Sequence, residues 1–228
     1  MSRNSSWRHS SQTDFAYPFY TNTIGGSGGP SGCATGSPTT TGVVGGSCKG
    51  YAKPSWQTNS NGDSVRDIPD VSLFAADGLW GHYYVMCFSD TRNGGARCTG
   101  APSTWAGAGG TSFASPIMAG IQALVNQNHG KQGNPAPEYY TLATEYGASI
   151  FNSVTEGDNM VNCSGTVNCF GATTSTSGRG HRSTSSADGA LSTSGTSLAP
   201  AYNAGAGWNF ATGLGSVNAF NLVNNWGK

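Results

Sequence analysis

Gly109-Gly110-Thr111-Ser112-Phe113-Ala114-Ser115-Pro116 is the stretch on which the reading of this chain turns. It is a Gly-rich turn that delivers one serine to the start of an apolar run with helical spacing. Ile117, Ile121, Leu124 and Val125 recur in that run, and Gly130 stands where a C-terminal cap belongs. Glycines let the backbone come close to a substrate and take conformations closed to other residues. A helix N-terminus adds unpaired N–H groups and positive potential where an oxyanion would form. Pro116 suits a first helical turn, where its missing N–H costs nothing. The structural alternative for Ser112 is an N-capping serine at a tight turn. A lipase-type elbow is excluded, because it needs glycine two residues after the serine and Ala114 stands there. Gly107-Ala108-Gly109-Gly110 is not followed by Gly-Lys-[Ser/Thr], so it is not a nucleotide-phosphate loop.

The segment resembles the nucleophile motif of the subtilisin clan, Gly-Thr-Ser followed by small residues and a proline. Subtilisins pair that serine with an upstream histidine in a His-Gly-Thr context. The upstream histidines here lie in Trp7-Arg8-His9-Ser10 and Gly81-His82-Tyr83-Tyr84, and neither fits. Four other stretches are similar, in order, to landmarks of the sedolisin family, the kumamolisin-like serine-carboxyl peptidases. They are Tyr51-Ala52-Lys53-Pro54-Ser55-Trp56-Gln57, Arg66-Asp67-Ile68-Pro69-Asp70-Val71-Ser72-Leu73, Phe151-Asn152-Ser153-Val154-Thr155-Glu156-Gly157, and the run from Gly205 through Trp208 and Asn209 to Gly215. The resemblance covers nearly all of residues 24–228. It implies an α/β, subtilisin-like fold, a mostly parallel sheet flanked by helices, of which this chain is the C-terminal part with long Gly/Ser-rich loops. Residues 1–23 are a polar segment outside it.

By this resemblance Ser112 is the nucleophile, its backbone N–H also serves the oxyanion hole, and Gly109, Gly110 and Thr111 form the substrate and oxyanion loop. The implied substrate is a polypeptide, cleaved in acid through an acyl-enzyme. In the family a glutamate is the base, an aspartate partners it, and a protonated aspartate completes the oxyanion hole; all three precede the region covered here. The acids before Ser112 are Asp14, Asp63, Asp67, Asp70, Asp77 and Asp90, and no Glu occurs before Glu138. The expectation is therefore a C-terminal portion, whether truncation, gene remnant or processed product. It would be inactive alone, with the missing N-terminal half of the catalytic domain as its partner. The other reading is a non-catalytic remnant or secreted peptide- or polysaccharide-binding module that uses aromatics such as Trp56, Trp80 and Trp105. Asp70 can be read as a catalytic acid or as a residue that holds a strand end by hydrogen bonds.

The family's calcium site carries over, by position, to Ser153 and Asn209, with carbonyls from Val154, Gly205 and Gly207. Both positions hold aspartate in the family. Loss of both charges predicts weak or absent calcium binding, because ligand charge tunes affinity. Asp158 stands close by in sequence as a substitute acid.

Composition agrees with an extracellular protein. Thirty-five Gly, six Cys and 10% charged residues set it apart from average globular usage, in which about a quarter of residues are charged. Zero net charge and no basic stripe argue against nucleic acid as a partner. Each neighbouring cysteine pair brackets a Gly-, Ser- or Asn-rich excursion, which predicts Cys33–Cys48, Cys87–Cys98 and Cys163–Cys169. Zinc is a poor alternative without a Cys-x-x-Cys. The first ten residues lack the apolar core of a signal peptide, and no stretch is apolar and long enough to span a membrane.

The pattern also predicts a strand over 68–74, a hairpin arm over 82–88 turning through Asn93-Gly94-Gly95, and helices over 138–146 and 217–226, the last capped by Ser216. Residues 171–197 read as a low-complexity surface loop. Ser194-Gly195-Thr196-Ser197 inside it repeats the motif wording, but no amphipathic helix follows.

Overall fold

The structure is a computed structural model. It describes residues 26, 28–39, 46–58, 61–75, 83–101, 105–159, 162–164, 169–173, 188–194, 196–197 and 199–228, with backbone alone at 162–164, 169–173 and 188–191. Residues 1–23, Val43-Val44, Trp80 and His82 lie outside this set.

Three helices carry the core. α1 (Thr111–His129) turns Ile121 and Val125 inward, α2 (Ala136–Tyr146) contributes Tyr139, Tyr140 and Leu142, and α3 (Ala219–Asn225) contributes Leu222 and Val223. Ile150, Phe151, Leu214 and Trp226 complete the cluster. Tyr139 lies edge-on to both Phe151 and Trp226, an arrangement that ring quadrupoles favour. Polar ties hold the helices together: a His129 ring nitrogen meets Val223 O at 2.7 Å, and Trp226 Nε1 donates to Gln132 Oε1 at 3.1 Å. Leu124, expected on the apolar face, is 50% exposed, because the inward stripe runs through Ile117, Ile121 and Val125 at steps of four.

The strands are short. β1 (Gly29–Pro30) pairs with β2 (Asp67–Ile68), β3 (Tyr84–Met86) with β4 (Ala106–Ala108), and β5 (Phe151–Asn152) with β9 (Ser216–Val217), all antiparallel. β6 (Asn162–Ser164), β7 (Cys169–Thr173) and β8 (Asp188–Leu191) form a three-stranded antiparallel sheet with β8 central. The mostly parallel sheet is thus not seen among the described residues, where parallel pairing occurs at the bridge Ser72↔Ser216. Ladders of two to five residues, interrupted by Gly-rich connections, leave little length for continuous pairing.

Several expectations are corrected. The predicted strand over 68–74 is reduced to β2 and the Ser72 bridge, because Pro69 supplies no N–H to a ladder. By contrast, the arm over 82–88 is one side of an antiparallel pair, β3 with β4, whose connection contains Asn93-Gly94-Gly95 as expected; Ala96 N donates to Phe88 O at 2.8 Å across it, and residues 91–93 form a 3-10 turn capped by Asp90 and closed by left-handed Gly94. Ser216 does not cap α3. It lies in β9, and Asn218 caps the helix by accepting from Asn221 N at 3.1 Å. The tract 171–197 supplies the end of β7 and all of β8 rather than loop alone.

Disulfides Cys33–Cys48 and Cys87–Cys98 form as nearest-neighbour pairs, in keeping with an oxidising, extracellular environment. The side chains of Cys163 and Cys169 lie outside the described residues. No helix among the described residues is long and apolar enough to cross a membrane.

A polar network ties residues 53–70 to α2. Gln57 donates to Asp67 O and to Tyr140 OH, both at 2.8 Å, and accepts from Asp67 N at 2.9 Å. Tyr140 OH donates to Asp70 Oδ1 at 3.1 Å, and Arg66 Nη2 holds both oxygens of Asp70. Asp67, 0% exposed, has Lys53 Nζ as its ion partner at 2.8 Å. Burial opposes a charged Lys53, but the carboxylates of Asp67 and Asp63 outweigh it and raise its pKa.

Candidate functional site

The local sequence around Ser112 builds a strand, a hinge and a helix in nine residues. β4 ends at Ala108, and Gly109-Gly110 leads directly into α1. Gly110 is the N-cap with φ 96° and ψ 163°, a backbone region that is essentially Gly-only. Its N–H donates to Ala75 O at 2.8 Å, and its carbonyl accepts from Phe113 N at 3.0 Å, which closes the first helical turn.

Ser112 therefore sits as the second helical residue, exposed, and no side chain hydrogen-bonds to the helix start as a cap. The capping alternative does not describe it. No acidic residue occupies the first turn, so nothing there neutralises the positive end of the α1 dipole. The N–H groups of Thr111 and Ser112 have no intrahelical acceptor at this end of the helix.

Pro116 lies inside α1 rather than in its first turn. Its missing N–H would otherwise bond the carbonyl four residues back, which is that of Ser112. The Ser112 carbonyl thus lacks the donor that another residue at 116 would supply.

An aromatic wall supports this turn, and sequence reading missed it. Tyr84 of β3 stacks on Phe113 at 5.8 Å and lies edge-on to Phe74 at 5.2 Å. Its hydroxyl donates to Phe74 O at 2.6 Å, and burial pushes its pKa up, which keeps it a donor. Behind the wall lies a cleft of about 720 Å³ lined by Leu73, Phe74, Tyr84, the segment from Asn152 to Glu156, and Ser216-Val217. Ser112 is not part of that lining; the contact between turn and cleft runs through Phe113 and Tyr84. The alternation Tyr83-Tyr84-Val85-Met86 was visible in sequence, but the partner across space was not.

Asp70 is held by Arg66 and Tyr140, far more like a structural anchor than an acid presented to substrate. Trp56 is enclosed between Arg66, 5.0 Å from its ring centre, and Tyr140 at 5.2 Å, so it is not an open platform for a ligand. Among the described residues no carboxylate or imidazole is hydrogen-bonded to Ser112, and no group of three metal-ligating acidic, His or Cys residues gathers. In the repeat at 194–197, Ser194 Oγ accepts from Thr196 N and Ser197 N, so the motif wording there belongs to a local turn.

Of the residues that the resemblance assigns to a calcium site, Ser153, Gly205, Gly207 and Asn209 are joined by hydrogen bonds. Gly207 N donates to Ser153 Oγ at 3.2 Å, and Asn209 Nδ2 donates to Gly205 O at 2.9 Å and Gly207 O at 3.3 Å. Val154 is buried next to Ser153. The set holds no carboxylate, and its amide presents hydrogens, not oxygen, to the carbonyls; these residues do not fit calcium. Asp158 is buried and bridged to Asn203.

Strand, glycine hinge and helix together define a protein that presents one serine at the positive end of a helix. Among solved structures, the chain is similar to Pseudomonas sedolisin, a serine-carboxyl proteinase, complexed with two molecules of pseudo-iodotyrostatin. The two are 27% identical over 76% of this chain and 33% of that chain, with a TM-score of 0.44. The chain thus spans about a third of that protein's length. No family model and no curated protein matches the chain.

Proposed function

We propose that this chain is the nucleophile-bearing part of a serine-type endopeptidase of the serine-carboxyl kind, acting on polypeptides in acid. The observation that carries the reading is the placement of Ser112. It is exposed, second in α1, uncapped, and set on a hinge whose Gly110 conformation other residues avoid. In this reading Ser112 Oγ attacks a peptide carbonyl, a glutamate supplied from elsewhere takes its proton and returns it to the leaving amine, and water hydrolyses the acyl-enzyme. The Ser112 N–H, at the helix start, joins a protonated aspartate in stabilising the oxyanion. Activity falls as pH rises, because that aspartate must stay neutral.

The test uses the longest reading frame that contains this chain, purified and assayed against a quenched fluorescent peptide library from about pH 3 to about pH 7. Hydrolysis is expected at the acid end, reduced by at least about three orders of magnitude in Ser112→Ala. Equal rates for the two proteins would refute the role of Ser112.

A second reading, a binding module without catalysis, is favoured by one observation: among the described residues no base is bonded to Ser112. It predicts saturable peptide or polysaccharide binding with no hydrolysis by either protein.

A further inference from the structure

The loop from Gly205 to Gly213 is organised around the side chain of Asn209. Its Oδ1 accepts three hydrogen bonds, from Ala211 N at 3.1 Å, Thr212 N at 2.9 Å and Thr212 Oγ1 at 3.0 Å. Three donors converging on one atom assign that atom as oxygen. The other end of the amide is then NH2, and it faces two backbone carbonyls, Gly205 O and Gly207 O. The backbone closes the same loop: Asn209 N donates to Gly213 O at 3.2 Å and Gly213 N to Asn209 O at 2.8 Å. Thr212, at the centre of the network, is 0% exposed.

Converging carbonyls are what a hard cation uses to fold a loop around itself. Here the positive partner is an amide group. We infer that the Asn209 carboxamide takes the place of a bound cation, so that the loop closes without calcium and keeps its shape in acid.

Two physical points support this. For a cation to bind between Gly205 O and Gly207 O, Asn209 would have to rotate its oxygen toward them. Its NH2 would then meet Ala211 N–H and Thr212 N–H, donor against donor, and leave buried N–H groups without acceptors. The Ser153 hydroxyl accepts from Gly207 N and brings no negative charge to the loop. Moreover, a carboxylate cage loses its metal as its ligands are protonated, whereas an amide does not titrate. The arrangement therefore suits acid conditions, whether or not Ser112 is catalytic.

The experiment is thermal unfolding of the whole protein and of Asn209→Asp and Asn209→Ala, each in about 10 mM calcium and in excess chelator, with calorimetric titration of calcium. The native protein is expected to melt within about 1 °C of the same temperature in both conditions and to give no binding heat. Asn209→Asp is expected to melt several degrees lower in chelator, because its carboxylate confronts two carbonyls, and to recover when calcium is added. Asn209→Ala is expected to melt lower in both. A calcium-dependent rise of more than about 3 °C in the native protein, with one-to-one binding lost in Asn209→Ala, would overturn the inference. So would an Asn209→Asp protein as stable in chelator as the native one. The native protein's own response decides the matter even if a variant fails to fold.

Discussion

The same substitution, ten residues apart, should have opposite effects on stability. Gly110, the hinge before Ser112, has φ 96° and ψ 163°, and a Cβ built on it would find no neighbour nearer than Ser112 N at 4.0 Å. Gly110→Ala therefore meets no clash, and its cost is purely that of forcing an L-residue into a Gly-only region, about 1–3 kcal/mol. Gly120 lies within α1, with nothing within 4 Å of its Cβ position. Gly120→Ala keeps helical geometry and removes freedom from the unfolded state, a gain of about 0.5–1 kcal/mol. For a protein of this size one kcal/mol moves Tm by about 2–4 °C. Gly110→Ala should then melt roughly 2–12 °C lower, and Gly120→Ala about 1–4 °C higher. Thermal unfolding followed by circular dichroism reads both. Because chemistry and helix are shared, a general sensitivity of α1 cannot produce the split in sign. If Gly110→Ala is neutral or stabilising, the hinge is not held in the left-handed region and the presentation of Ser112 fails with it.

Gln57→Leu keeps much of the volume but leaves Asp67 N–H without its acceptor, removes one of the donors to Asp67 O, which keeps Arg66 Nη1, and removes one bond from Tyr140 OH; at about 1 kcal/mol per bond plus the desolvated N–H it should cost roughly 3–4 kcal/mol, read by urea denaturation. A loss under about 1 kcal/mol would mean the network is not formed in solution. Lys53→Met strands the buried Asp67 carboxylate, whose ion partner it is, and should cost about 3–5 kcal/mol near neutral pH. A loss of under about 1 kcal/mol in urea denaturation would contradict the pairing. Burial pushes the Tyr139 and Tyr140 hydroxyls up to about 12, with the nearby Asp70 charge adding to it. Their folded pKa lies above the ordinary value near 10, so the stability they lend is complete below about pH 10 and is lost as pH climbs toward 12. Tyrosinate absorbance should accordingly rise in step with unfolding for these two rings, and free titration near pH 10 in a folded protein would refute their burial.

What could be read from the sequence divides by range. The Gly109–Pro116 segment, α1 and its Gly130 terminus were legible because each is a local device: a residue that permits a rare backbone angle, an apolar period of four, a glycine at the end. Disulfides closing 15 and 11 residues were legible for the same reason. The failures share the opposite cause. Ser216 was expected to cap α3, yet pairing with Asn152 across the molecule draws it into β9 and leaves the cap to Asn218. Which strand pairs with β3 had no local mark either: β4 lies beyond the disulfide-closed loop. Tyr84, which steadies the Ser112 turn, meets Phe113 and Phe74 through no sequence spacing at all.

The same division separates the presentation of Ser112, which is legible in the sequence, from the base that the proposed reading requires, which is not. Presentation of Ser112 depends on three nearby residues: Gly110 sets the entry angle, Phe113 locks the first turn onto Tyr84, and Pro116 withholds a donor from the Ser112 carbonyl. None of these requires an ionised group, so the turn keeps its form whatever the pH. A base is different in kind, since a carboxylate must be brought within about 3 Å of Ser112 Oγ by a separate element and its pKa set by what surrounds it. Of the described acids before Ser112, Asp90 accepts from Arg92 N and Asn93 Nδ2, and Asp63, Asp67 and Asp70 are committed to Lys53, Arg66 and Tyr140. Moving one of these last three to Ser112 would break the ties that hold residues 53–70 to α2. Among the described residues the polar network over 53–70 thus serves the scaffold, and on the reading proposed above the proton acceptor for Ser112 comes from elsewhere.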